Sequence, residues 1–319
     1  MKKFVNRFIR FIAILVIASY AFVWFYERPQ RDAVRSGSSV KLQKWNSIKD
    51  NSNGYNILIL GSSRAYSAYN PLVIDSLVKM KSFNMSTGSQ HIIESYYMLK
   101  EIVKHQKPDY LVYEIFLPSF RTNPDLFHVF SNAKFMSNEM VLNEFANDKI
   151  LDLIFPVYKF KAYLKNDLAR FNFSTKQETQ LPQQWIRGYR VSNKVNDSNS
   201  IEKFTPIDSF SNSNTLSKSD IEVHLNKLVQ LCLENDIQPI FIRAPFPPSR
   251  LIKSLPDATN KYFSAFFEKQ QLPFQDLNYN SSKTYSDYDF EDYHHLNVSG
   301  ATKASNDLAI FINKLSHNQ

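Results

Sequence analysis

The chain has 319 residues, 43% of them hydrophobic and 14% aromatic, with 6 Gly and one Cys. That apolar content suits a packed core and excludes a chain disordered throughout, while scarce Gly and a lone Cys exclude collagen-like and disulfide-stapled classes. The net charge of +8 is concentrated at one end: residues 1–44 carry nine Lys/Arg against two acidic side chains, and the remaining 275 carry 29 against 28. The body is nearly neutral, so no nucleic-acid partner is expected, and the charge calls for a membrane explanation.

Met1–Arg10 holds four basic residues and no acid, and Phe11–Tyr26 is then a sixteen-residue uncharged run ending in Trp24, Phe25 and Tyr26. Such a run is near the lower limit for spanning a bilayer, and its terminal aromatics fit an interfacial belt. Three readings compete: an uncleaved anchor, a signal peptide cut near Ser19-Tyr20-Ala21, or a core helix. The anchor is preferred because the apolar run continues past the cut. Basic residues before the run favour a cytoplasmic 1–10, an anchor at 11–26 and an exported body.

Residues 27–53 are polar and charged and read as a stalk, with the folded domain over 54–319. Tyr55–Leu60 (YNILIL) is a short apolar run ended by Gly-Ser-Ser, as expected of a buried parallel strand. Helix over Pro71–Met80, strand over Ser82–Met85, helix over His91–His105 and strand over Tyr110–Phe116 follow. The alternation lapses from about 117 to 217, which reads as an insertion with helical pieces at Met140–Phe155 and Val157–Phe171. It resumes with helix Ser219–Asn235, strand Pro239–Ala244, helix Ala258–Lys269, strand Phe274–Leu277 and helix Ser299–Leu315. Alternating strands and helices predict a mostly parallel sheet covered on both faces, an α/β/α sandwich.

In open parallel sheets, ligands bind at the carboxyl ends of the strands. Three segments fall there. Gly61-Ser62-Ser63-Arg64 follows the first strand and can present a hydroxyl from a sharp turn. Asn84 to Gln90 (NMSTGSQ) follows the second, with Gly88 able to offer an N–H. Asp292-Tyr293-His294-His295-Leu296-Asn297 precedes the last helix, and an Asp three residues before a His can hold one ring nitrogen while leaving the other to act as base. His294-His295 alone could suggest a metal, but no further Cys/His cluster accompanies the pair, so neither a metal nor a cofactor is expected.

In this order the three segments resemble the SGNH hydrolase superfamily, the GDSL-type esterases and acyltransferases. His295-Leu296-Asn297 followed by Gly300-Ala301 is the most specific piece. The resemblance implies a flavodoxin-like three-layer fold with Ser63 as nucleophile, His295 as base and Asp292 as its orienting acid. It also implies an oxyanion hole from the main-chain N–H of Ser63 and of Gly88, with Ser86 as the alternative by register. Two departures stand out. Ser62 occupies the place of the first block's Asp, and Phe116-Leu117-Pro118-Ser119 replaces the third block's Gly-x-Asn-Asp, whose Asn normally donates to the oxyanion. Together with the N-terminal anchor they resemble the membrane-anchored branch that works beside membrane-bound O-acyltransferases.

That resemblance implies an exported serine esterase or O-acyltransferase acting on acyl esters of a cell-surface glycan. A membrane-bound acyltransferase is its implied partner. The contrasting expectation is a catalytically silent scaffold of the same fold that binds glycan or a membrane partner. Trp185, Tyr189 and Tyr158 are candidates for stacking on sugars, and Arg64, Arg187 and Arg243 for pairing with an acidic group. Core packing is the commoner use of these aromatics, and a solvated or structural role is the commoner use of these arginines.

Overall fold

The computed structural model describes residues 2–26, 40–124, 129, 132–133, 135–137, 139–145, 184–196, 214–249 and 257–317. The chain divides into two compact units, residues 1–43 with 130–180 and residues 44–129 with 181–319.

The second unit is built on five parallel strands: β1 (Ile57–Leu60), β2 (Ser82–Asn84), β3 (Tyr110–Glu114), β6 (Gln238–Arg243) and β7 (Phe274–Asp276), in the order β2-β1-β3-β6-β7. Ile59 pairs with both Asn84 and Val112, and Val112 with Ile240. Every residue of β1 and β3 is buried. These strands therefore read as continuous apolar runs rather than alternating ones, because helices cover both faces. On one face the closing helix (Val298–His317) packs against helices Pro71–Val78 and Ser63–Ala68; on the other, helix Lys218–Leu233 packs against helix Ile92–Ile102. Ile57, Ile59, Val112, Ile240 and Ile242 meet Ala301, Ala304, Leu308 and Ile312 of the closing helix in one core cluster. Fully burying a side chain of this size contributes about 1.5–3 kcal/mol. The chain order reverses between β1 and β3, which opens a crevice at their carboxyl ends.

The predicted strands and helices of this unit fall where the apolar runs place them. Three elements were not expected. Val40–Lys49, inside the segment read as a stalk, is a helix with Trp45 and Ile48 buried and the Lys44 ammonium donating to the Ser86 carbonyl at 2.6 Å. Ser63–Ala68 is a short helix capped by the Ser62 hydroxyl. In the expected insertion, β4 (Trp185–Ile186) and β5 (Tyr189–Arg190) form an antiparallel hairpin. Its turn lies so close to β2 that a Cβ on Gly188 would sit 1.8 Å from the Asn84 carbonyl. The expected helix over Val157–Phe171 and most of that over Met140–Phe155 lie outside the described residues, as do residues 27–39 of the stalk. Within Met140–Phe155, Val141–Phe145 forms a π-helical turn.

In the first unit, helix α1 (Lys2–Tyr26) begins among the basic residues rather than after them. Its stretch Lys2–Phe22 is long and apolar enough to cross a membrane. Phe4, Ile9, Phe11, Ile14 and Ile17 are exposed, which is the opposite of a core helix.

Candidate active site

The turn after β1 has little freedom. A Cβ on Gly61 would lie 2.9 Å from the Cβ atoms of both Ala65 and Glu114, so only Gly lets the chain leave the strand this close to β3. Ser62 then caps the short helix by accepting from the Arg64 N–H at 3.3 Å, and Ser63 occupies its first position. An N–H at that position has no intrahelical acceptor.

The arginine that follows is a brace. Arg64 is fully buried, donates from Nε to Glu114 at 3.1 Å and from Nη2 to the Ala244 and Pro245 carbonyls. Its guanidinium packs over both the Phe116 and Phe246 rings, 4.8 and 3.7 Å from their centroids. Burial raises the Glu114 carboxyl above the usual carboxylate range, and the Arg64 charge and hydrogen bond counter only part of that rise. The turn that carries Ser63 is thereby fixed to the ends of β3 and β6. Arg243 pairs likewise with Asp276 at 2.9 Å, and Arg187 with Asp75. All three arginines singled out in the sequence thus have structural carboxylate partners. Tyr189 is buried in the core, Trp185 is half-buried against Tyr66, and Tyr158 lies outside the described residues.

His295 arrives from the other side. The segment before the closing helix is pinched by a bridge between Phe290 and Leu296, with the Glu291 N–H donating to the His295 carbonyl at 2.9 Å. Leu296 and Ala301 are core residues, and Asn297 accepts from the Ser299 and Gly300 N–H groups at the helix start. A Cβ on Gly300 would lie 2.3 Å from the Asp289 carbonyl. The motif His295-Leu296-Asn297 with Gly300-Ala301 is thus a fastening: two anchors, a cap and a close approach that hold one imidazole in place.

The imidazole joins the two ends of the site. His295 Nε2 lies 2.8 Å from Ser63 Oγ, and Nδ1 lies 2.7 Å from Asp292 Oδ2. Asp292 Oδ1 accepts from the backbone N–H groups of His294 and His295, both at 2.9 Å. Burial alone would raise the Asp292 carboxyl, but the hydrogen bond and charge of His295, with the His294 N–H, outweigh it and hold the group well below the usual carboxylate range. Asp292 is therefore a carboxylate at neutral pH. An acceptor at Nδ1 favours the tautomer whose Nε2 is free to accept a hydrogen bond from the Ser63 hydroxyl.

Around these three residues, Tyr66 stacks parallel to the His295 ring at 6.4 Å. Arg190 pairs with Glu291, which is 3.9 Å from His295 Nδ1. Ser63 and His295 border a cleft of about 310 Å³ together with Ser89, Phe116, Ser119 and Arg121. Gly88 sits half-buried in the turn after β2, and it is Ser89, with φ +52°, that borders the cleft there. Ser86 is fully buried, its N–H donating to the Asn84 side chain. Asp292, His294 and His295 also bring three ligand-type atoms within 4.8 Å of one another. In the present arrangement Asp292 and His295 are engaged with each other, and His295 with Ser63.

The Arg64–Glu114 brace and the Arg190–Glu291 pair had no place in the sequence reading. The first left a signal: a carboxylate within YLVYEIF has to find a partner once that strand is buried.

No family model matches the chain, and no curated protein is similar to it. Among solved structures it is similar to a protein assigned to the G-D-S-L lipolytic family from Desulfitobacterium hafniense DCB-2, at 9% identity and a TM-score of 0.42, covering 80% of this chain and 98% of that one. A protein assigned as an acylhydrolase from Bacteroides fragilis NCTC 9343 is 13% identical at TM-score 0.42, covering 84% and 95%. A GDSL-like lipase from Bacteroides thetaiotaomicron VPI-5482 is 9% identical at 0.40, covering 86% and 97%. Likeness at this level identifies neither an activity nor a substrate, so the chemistry rests on the residues of the site.

Proposed function

We propose that the protein is an SGNH-type serine ester hydrolase or O-acyltransferase. One observation carries the reading: a single imidazole bonded at one nitrogen to a serine hydroxyl and at the other to an ionised carboxylate. Ser63 Oγ attacks an acyl carbonyl while its proton passes to His295 Nε2. Asp292 stabilises the resulting imidazolium, which then protonates the departing alkoxide and leaves an acyl-Ser63. Water as second nucleophile completes a hydrolysis; a sugar hydroxyl completes an acyl transfer. His295 is the base for that step too.

The exposed apolar N-terminal helix and the basic residues at its start support an anchored protein with its body on the extracytoplasmic side. Acyl esters of a cell-surface glycan are the substrate class, and a membrane-bound O-acyltransferase is the partner that would supply the acyl group. Turnover of p-nitrophenyl acetate by the full chain in detergent tests the reading. Wild type turns over, and Ser63→Ala and His295→Ala lose the activity. Equal rates in all three would refute it. With acetylated glycan and unmodified acceptor present, release of acetate identifies an esterase and its appearance on the acceptor identifies a transferase.

A further inference from the structure

One hydroxyl at the cleft is used by none of the chemistry above. Ser119 belongs to the 3-10 turn Leu117–Phe120, which leaves the carboxyl end of β3, and borders the same cleft as Ser63 and His295. The residue is 2% exposed. Its N–H is committed to the Phe116 carbonyl at 2.8 Å, but its Oγ is sealed from solvent and has no hydrogen-bond partner among the described residues. Burying a hydroxyl without a partner is unfavourable, so an unmatched one in a packed wall calls for an explanation. Two other polar side chains of the cleft do structural work: Ser62 caps the helix that begins at Ser63, and Arg121 donates to the Pro118 carbonyl at 3.1 Å and to the Ser89 carbonyl at 3.5 Å. The turn carrying Ser119 is braced further by His91, whose Nε2 lies 2.8 Å from the Arg121 carbonyl, and by the Leu216 N–H donating to the Phe120 carbonyl.

A buried hydroxyl that has no partner among the described residues is suited to a charge that exists only during reaction. We propose that the Ser119 hydroxyl is a catalytic hydrogen-bond donor to the substrate's acyl oxygen, sharing that oxygen with the Ser63 N–H. The inference rests on the ester chemistry proposed above and names a group that stabilises its transition state. As the Ser63 Oγ–carbon bond forms, the carbonyl π pair moves onto oxygen and the Ser63 proton moves to His295. Ser119, turning about χ1, donates to that oxyanion without giving up its own proton. When the carbon–alkoxide bond breaks, the pair returns to the carbonyl and the His295 proton leaves with the alkoxide. A donor matched to the oxyanion rather than to the ground state raises kcat with little effect on KM.

The test uses the full chain in detergent, with p-nitrophenyl acetate turnover, thermal unfolding, and a structure of the adduct formed with diethyl p-nitrophenyl phosphate. Ser119→Ala is expected to lower kcat by about 10- to 1000-fold with KM within about threefold. It should leave Tm unchanged or raised, since no native bond is lost. Ser119→Thr, which keeps the hydroxyl, should restore most of the rate. In the wild-type adduct on Ser63, the phosphoryl oxygen should lie within about 3 Å of Ser119 Oγ. Wild-type turnover with an unchanged kcat in Ser119→Ala would overturn this proposal and leave the ester reading standing. Absence of turnover and of adduct in the wild type would overturn both. If Ser119→Ala also unfolds at a lower temperature, the adduct structure decides, and a phosphoryl oxygen more than about 3.5 Å from Ser119 Oγ refutes the role.

Discussion

Replacing His91 with Asn removes a buried titrating group from the wall behind the cleft while retaining an acceptor at the start of its helix. In the structure His91 Nδ1 accepts from the Ile93 N–H at 3.2 Å, and Nε2 lies 2.8 Å from the Arg121 carbonyl, to which it donates. Both ring nitrogens are thus engaged by the neutral ring, and a proton on Nδ1 would break the helix cap. Burial lowers the pKa to about 4 from the ordinary 6.5; the nearby His224 and Arg121 lower it too, and the bond to the Arg121 carbonyl only partly opposes this. Because the folded-state value lies below the unfolded one, the unfolded chain binds the extra proton between pH 6.5 and 4. Stability from this group is therefore complete above about pH 6.5 and lost as pH falls toward 4. At 1.36 kcal/mol per pKa unit the full loss is about 3 kcal/mol, of which about 2 is gone by pH 5. Asn keeps an acceptor for Ile93 but leaves the Arg121 carbonyl without its donor, at a cost of about 1–2 kcal/mol near pH 7.5. Urea unfolding followed by tryptophan fluorescence at several pH values should give a variant that is weaker at pH 7.5 but loses less on acidification. The two curves should meet near pH 5. Parallel curves from pH 7.5 to 4 would refute the assignment of a neutral buried His91.

Two further substitutions separate positioning from packing. Asp292→Asn should leave the fold intact and lower kcat for p-nitrophenyl acetate by about 10³- to 10⁴-fold, since the amide no longer fixes the tautomer; a loss under about tenfold would deny Asp292 its role. Arg64→Met leaves Glu114 buried without its cation and should cost about 3–5 kcal/mol in urea unfolding, with Arg64→Met/Glu114→Leu recovering most of it; a single variant within about 1 kcal/mol of wild type would contradict the brace.

Much of the sheet was legible because its strands are short apolar runs between turn residues, and parallel strands buried on both faces carry no other pattern. Ser63, Asp292 and His295 were legible only through the resemblance of three motif blocks taken together, because no single block carries a local pattern. Gly61, Asn297 and Gly300 beside them are close approaches and a helix cap that the structure makes visible. What stayed hidden depends on contacts between distant parts of the chain. Lys44 and Trp45 lie in a polar segment with no sustained period, so nothing local announces that one donates to Ser86 and the other is buried. The hairpin Trp185–Arg190 is two residues per strand, too short for a period, and is held by its approach to Asn84. Arg64 and Glu114 are fifty residues apart, and only the parallel pairing of β1 with β3 brings them together. The turn at Ser119 departs from the pattern the resemblance implies, so its free hydroxyl could be found only in three dimensions.

The central claim is that Ser63 is an activated nucleophile. The measurement that tests it most directly is reaction of the full chain with a fluorophosphonate, with the adduct located by mass spectrometry. One adduct is expected, on Ser63, absent from Ser63→Ala and formed more slowly by orders of magnitude in His295→Ala. Folded wild-type protein that remains unlabelled, or labels at another residue, would contradict it.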